Sequence, residues 1–189
     1  MTDRPIIFSA PMVQALLAGR KTQTRRILKA PYGMLERTGN GEWKPICTRF
    51  FPNDRLYVRE AFQGHTAYEA HGYKPSDWGN KPIWYCADGE PDPLYSASSR
   101  KRPSIHMPRW ASRLTLTVTD VRVQRLQDIS DADAKAEGAN PWTGAEQSYI
   151  TDFAAIWRTI HNPEAWDANP WVVAISFDVR HGNIEKVEP

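Results

Sequence analysis

Apolar positions along the chain recur at spacings that predict about five strands interrupted by three helices. Pro5 to Phe8 reads as a short strand. Ser9 then offers an N-cap oxygen to a helix that carries Pro11 in its first turn and ends near Gly19. On that helix Met12 with Leu16 and Val13 with Leu17 form one apolar face at i, i+4 spacing. Strand signals return at Arg55 to Glu60 and at Ile83 to Ala87. From Arg113 to Leu126, Leu114, Leu116 and Val118 alternate, then Val121 and Val123 alternate in the other phase, which predicts a long strand with a bulge near Thr119 and Asp120. Ser130 with Asp133 resembles a capping box opening a short helix that stops at Gly138. Ile150, Phe153, Trp157 and Ile160 line one face of a third helix. Trp171 to Val179 reads as a final strand whose odd-numbered positions, Trp171, Val173, Ile175, Phe177 and Val179, face the core.

No internal repeat and no βαβ rhythm is present, so the pattern implies an α+β chain: a partly open, small mixed β-barrel with flanking helices. Its 189 residues are enough for one core of ordinary size, and a single domain over residues 1–189 is expected. Eight Trp and fifteen Pro are more than this length usually carries, and two of the Trp and six of the Pro fall between Gly64 and Pro108, with several Gly and Tyr. That stretch, 64–108, reads as a Trp/Pro-rich insertion. Cys47 and Cys86 lack CxxC spacing and no secretory segment precedes them, so both read as reduced thiols. No apolar run approaches the roughly 20 residues that span a bilayer. A soluble, cytoplasmic protein without a membrane partner is expected.

Charge changes the picture more than composition does. The formal charge of +2 divides into +6 for residues 1–60, +2 for 61–119 and −6 for 120–189. The early basic excess can attract phosphate, while the overall balance argues against non-specific coating of nucleic acid. Arg20, Lys21, Arg25 and Arg26 crowd four cations into Gly19 to Arg26, GRKTQTRR, just past the first helix. Like charges favour loss of a proton from whichever group releases it most readily, and that group is Lys21, since arginine effectively keeps its proton. If the segment keeps a helical or 3-10 turn, the Thr24 hydroxyl falls on the same face as the Lys21 amine, an arrangement that activates a weak nucleophile. The same run also reads as a solvated cation cluster complementing the helix C-terminus. Glu137 is an odd residue for the last turn of its short helix, where it opposes the macrodipole.

GRKTQTRR after an amphipathic helix, DRLYVRE at Asp54 to Glu60, and the strand and helix from Arg113 into DADAKAEG together resemble the ASCH family. The resemblance implies a PUA-like fold, a small β-barrel with a helix beside a cleft, with Gly19 and Lys21 matching the Gly-x-Lys turn at that cleft. Some compact bacterial ASCH proteins are N4-acetylcytidine amidohydrolases. By resemblance to them, Lys21, Thr24 and Glu137 are the candidate catalytic residues: Lys21 removes the Thr24 proton, Thr24 attacks the amide carbonyl, Glu137 orients Lys21 or helps protonate the leaving amine, and water releases the acyl-enzyme. Arg20, Arg26, Arg59, Glu60, Trp84 and Arg109 are the candidate substrate-binding side chains, arginines for a carbonyl or phosphate and the indole for stacking. The substrate implied is a nucleoside or nucleobase. No cofactor or metal is needed for this route, and the scattered His65, His71, His106, His161 and His181 suggest none. The chain departs from those enzymes in length and in the 64–108 insertion. The alternative is a non-catalytic reader of modified bases, RNA or single-stranded nucleic acid, with a ribonuclease a weaker third reading. The longer ASCH subgroup also suggests phage or prophage origin.

Overall fold

The computed structural model describes residues 2–29, 34–46, 48–67, 71–79, 81–90, 100–140 and 148–187. In chain order β1 (Asp3–Ile7) leads into α1 (Ala10–Leu17) and β2 (Gln23–Ile27). β3 (Leu35–Arg37) and β4 (Trp43–Pro45) form a hairpin before β5 (Arg55–Arg59). β6 (Phe62–Gly64) pairs with β7 (Ile83–Tyr85), and the long β8 (Leu114–Arg125) follows. α2 (Asp131–Ala136), α3 (Tyr149–Ile160) and β9 (Trp171–His181) complete the chain. The result is a mixed α+β fold with a mostly sheet core. No helix among the described residues is long and apolar enough to cross a membrane.

Chain contacts divide into two compact units. The first comprises residues 1–18, 53–117 and 179–189, the second residues 19–52 and 118–178, so β8 and β9 each contribute to both.

In the first unit β1 runs parallel to β5, Asp3 opposite Arg55 and Ile7 opposite Arg59, and β5 runs antiparallel to β8, Leu56 opposite Leu116. α1 follows Ser9 at its N-cap position, with proline in its first turn, and buries Val13 and Leu16; the expected side-chain cap is corrected, since the Ser9 hydroxyl accepts no hydrogen bond from the helix. The segment around β6 and β7 packs a cluster of its own, in which Phe62, Trp78, Met107 and Ala111 are buried. Phe62 and Trp78 meet edge to face at 6.2 Å between ring centroids. Gly64 is what lets Trp78 close on the strand: a Cβ there would lie 2.2 Å from a ring carbon. Cys86 is a half-buried free thiol, and Cys47 lies outside the described residues.

In the second unit β2 runs antiparallel to β9, with Gln23 opposite Ser176 and Ile27 opposite Val172. Ser130 caps α2, its side chain accepting from the Asp133 N–H at 3.1 Å, and Ser148 caps α3 in the same way. Leu126, Ile129, Ala134, Phe153, Trp157 and Val172 form the core under these helices, with Ile27 packed against it. Two expectations are corrected here. The odd-numbered Trp171, Val173, Ile175 and Phe177 of β9 are buried as expected, but Val179 is only half-buried, and Val172 and Ala174 are enclosed as well because the helices cover the even-numbered side there. Ile160 is 47% exposed, because the buried face of α3 runs through Phe153, Ala154 and Trp157 and ends before it. Along β8 the buried alternation of Leu116 and Val118 breaks at Thr119 and Asp120, both exposed, where the change of phase was expected.

Candidate active site

The GRKTQTRR segment leaves α1 through Gly19, whose φ of 68° is left-handed, and then extends. The Thr22 N–H donates to the Ala136 carbonyl at 2.8 Å, and the Phe177 N–H donates to the Thr22 carbonyl at 2.9 Å, so the backbone is fastened between the end of α2 and β9. From Gln23 the segment is the strand β2, and successive side chains alternate between faces. Gln23 and Arg25 fall on the side of α2. No helical or 3-10 turn is formed that would stack Thr24 over Lys21. Pairing with β9 supplies the backbone hydrogen bonds instead, and alternation turns Thr24, opposite Ile175, to the other face from Gln23 and Arg25.

Lys21 and Glu137 come together across the unit. The Lys21 ammonium donates to the Glu137 backbone carbonyl at 2.7 Å and to its Oε2 at 2.8 Å. Glu137 is the C-cap of α2, and the left-handed Gly138 that follows turns the chain away while leaving the carboxylate in place. A cation on the last carbonyl complements the negative end of the helix, which removes the objection to an acid at this position. Arg25 donates to Glu137 Oε1 at 3.1 Å, to Gln23 Oε1 at 2.6 Å and to Asp133 Oδ2 at 3.1 Å. Gln23 in turn donates to Asp133 at 3.1 Å and to Ser176 Oγ at 3.0 Å, and Arg122 donates to Asp133 at 3.0 Å. Lys21 is fully buried, Arg25 is 3% exposed and Glu137 8%. A solvated cation cluster therefore does not describe Lys21 or Arg25; only Arg20 among the four is exposed.

Burial drives the Lys21 amine below the ordinary lysine range; Glu137 opposes the shift, and the charges of Arg26 and Arg25 add to it. Burial likewise lowers Arg26, with Glu137 opposing and Arg49 adding. For Asp133, burial acts upward, but hydrogen bonds from Arg122 and Gln23 and the charges of Arg122 and Arg25 outweigh it, holding the carboxyl below the usual range. Beside this network a cavity of about 420 Å³ is lined by Arg20, Thr22, Lys135, Asn140 and Tyr149 among others.

The remaining candidates lie in the first unit. Glu60 is 1% exposed, with both oxygens engaged by Arg113 at 2.9 and 3.0 Å. Burial raises its carboxyl, with Arg113 opposing and Asp88 adding. Arg109 donates to Asp3 at 2.6 Å and lies over the Tyr57 ring, so it is part of an ion-pair network with Arg55. The Trp84 indole donates to the Gly89 carbonyl at 3.2 Å. Arg59 lines a separate cavity of that unit. Gln23, Arg25 and Asp133 belong to the Lys21 network although sequence reasoning did not nominate them; the signals were the i, i+4 spacing of Asp133 and Glu137 and the alternation of β2. No group of three His, Cys, Asp or Glu side chains with metal-binding geometry occurs among the described residues.

Neither a family model nor a curated protein matches the sequence. Solved structures do. A protein of the DUF984 family from Enterococcus faecalis V583 superposes with a TM-score of 0.45 at 12% identity, covering 100% of this chain and 86% of that one. The ASCH domain from Lactobacillus crispatus JV V101 gives 0.43 at 13% identity, covering 94% and 79%. An ASCH domain is thus among the structures this chain is similar to. At this level the likeness concerns architecture, and the chemistry must come from the side chains themselves.

Proposed function

We propose that the chain is an amidohydrolase acting on an acylated nucleobase, with N4-acylated cytosine nucleosides the first candidates, and that Lys21 handles the proton. One observation supports this reading: a fully buried lysine, held 2.8 Å from Glu137 Oε2, whose amine burial pushes below the ordinary lysine range against the pull of Glu137, with the charges of Arg26 and Arg25 adding to the shift. A neutral amine is a general base, whereas an ammonium is not. In the reaction one water is consumed, the bond between the acyl carbon and the exocyclic nitrogen breaks, and a carboxylic acid and a free amine leave. Lys21 takes the proton of the attacking hydroxyl and returns it to the leaving nitrogen; Glu137 stabilises the ammonium between the two steps. Thr24 is the hydroxyl that the sequence resemblance nominates. Because its side chain faces away from Gln23 and Arg25, the geometry supports Lys21 and Glu137 more directly than Thr24, and water is the competing nucleophile. Both routes use the same base.

The test is release of cytidine from N4-acetylcytidine by the purified chain, with a chelator present throughout. Lys21→Ala and Glu137→Gln are expected to lose turnover by about 10² or more. Thr24→Val separates the two nucleophiles: lost turnover assigns the hydroxyl, retained turnover assigns water. Wild-type-like hydrolysis by folded Lys21→Ala removes the mechanism. A non-catalytic reader of modified nucleobases is the second reading, favoured by the enclosure of Lys21, since a group without exposed surface meets a substrate only if the site opens. Absence of turnover in the folded wild type, together with nucleoside binding, would select it.

A further inference from the structure

The first unit holds a cavity of about 640 Å³ whose lining is strongly cationic: Arg59, Lys74, Arg100, Lys101, Arg102 and His106 contribute to it, and among the described residues no carboxylate does. The cations come from three places, the end of β5, the turn before the buried Trp78, and the segment following residue 99. Two of them are fixed before any ligand arrives. Arg102 lies over the Trp78 ring at 5.3 Å, and its backbone exchanges hydrogen bonds with Phe62 at 2.8 and 3.1 Å. Arg59 donates from one guanidinium nitrogen to the Ile105 carbonyl, while its Nε is buried without a hydrogen-bond partner among the described residues. The guanidinium is thus anchored on one side by a backbone carbonyl, which holds its charge at the cavity wall. Arg100, Lys101 and Lys74 are exposed at the rim. Pro75, Pro103 and Pro108 stiffen the walls, and Ile105, 57% exposed, adds an apolar surface.

Same-sign charges around one concavity focus the field and raise the local concentration of an anion. We propose that this cavity is a phosphate-binding groove that takes the backbone of a single-stranded nucleic acid. Single strands fit its chemistry because the cations can follow successive phosphates while an apolar wall receives an unstacked base or sugar. A duplex keeps its bases inside the stack and offers the groove only its outer backbone. The site lies in a different unit from the Lys21 network and does not rest on the amidohydrolase reading.

The experiment uses the whole chain and a fluorescein-labelled oligouridylate of about 12 nucleotides, within the span such grooves cover. Anisotropy is read over a salt series for wild type and for Arg100→Glu/Lys101→Glu. Wild type is expected to bind with an affinity that falls steeply with salt. The double variant should bind at least about tenfold more weakly, with the logarithmic salt slope reduced by about 1.4, two phosphate contacts at 0.7 each. Its thermal melt and its activity toward N4-acetylcytidine should be unchanged, so failure here and failure of the amidohydrolase reading are separate results. Unchanged affinity and slope in the double variant would overturn the proposal. So would displacement by inorganic phosphate at the same phosphate concentration as unlabelled strand, which would mean a site for free phosphate. Equal displacement by polyglutamate would also overturn it, as the mark of a general acidic-polymer surface.

Discussion

Replacing Lys21 with Met keeps most of the side-chain volume and removes the charge from a fully buried position. Two charge-assisted hydrogen bonds disappear, at 2.7 Å to the last carbonyl of α2 and at 2.8 Å to Glu137 Oε2. Breaking a buried pair by removing one partner typically costs about 3–5 kcal/mol, because the other charge is left without compensation. Two features lower that figure here. Arg25 still reaches Glu137 Oε1 at 3.1 Å, so the carboxylate keeps a cation. The lowered Lys21 amine also shows that the native structure opposes its charge, and relief of that desolvation offsets part of the loss. The expected destabilisation is about 2–3 kcal/mol. Urea melts followed by circular dichroism and tryptophan fluorescence should show a lower midpoint at unchanged slope. Lys21→Met/Glu137→Gln should then lose less than the sum of the single variants by about 1 kcal/mol or more, since residues in contact couple. A loss below about 0.5 kcal/mol for Lys21→Met, or additivity within that margin, would refute a buried, coupled pair.

Gly64→Ala places a methyl 2.2 Å from a Trp78 ring carbon, so it should destabilise by about 1–3 kcal/mol and change the tryptophan emission; a wild-type melt would contradict the close approach. Asp133 has a folded pKa below its unfolded value, so its contribution is complete above about pH 3.9 and is lost as pH falls through the folded value. Asp133→Asn should therefore flatten the acid limb of thermal stability below about pH 4, and an unaltered limb would assign acid lability elsewhere. Lys21 acts with the opposite slope: between its lowered folded value and the ordinary value near 10.4 the unfolded chain binds more protons, so stability from this group rises with pH. Melting temperatures followed from pH 7 toward about 10 should lose that rising component in Lys21→Met, and identical pH profiles would exclude it.

The elements that were legible in the sequence are those with local signals. Pro11 in the first turn of α1, the Ser130 capping interaction and the alternation of β8 each need only a few neighbouring residues, and each is present, although Ser9 holds the N-cap position without a side-chain hydrogen bond. What local pattern did not carry was burial from two sides. Odd positions of β9 carry its larger side chains, yet Val172 and Ala174 are equally enclosed, because α2 and α3 come back over the other face. The same limit applies at 64–108. Trp and Pro density alone looks like an appended loop, whereas Gly64, Trp78 and Met107 build a packed cluster from residues far apart in the chain.

The site was half legible for a related reason. Glu137 stood out because an acid at a helix C-terminus opposes the dipole, and the oddity was informative: the residue that compensates it is 116 positions away. The cations of GRKTQTRR were visible, but their placement depended on whether the segment coils or extends. β9 decides this by supplying backbone partners to β2, and once residues 23–27 are a strand, Gln23 and Arg25 must share a side and Thr24 must take the other. Asp133 then follows from helix geometry, one turn before Glu137 and in reach of Arg25. The same geometry sets Lys21 between opposing influences: burial and the charges of Arg26 and Arg25 push its proton off, while the Glu137 carboxylate holds it. Arginine effectively keeps its proton, so of the cations brought to Glu137 it is Lys21 whose charge the surroundings can change.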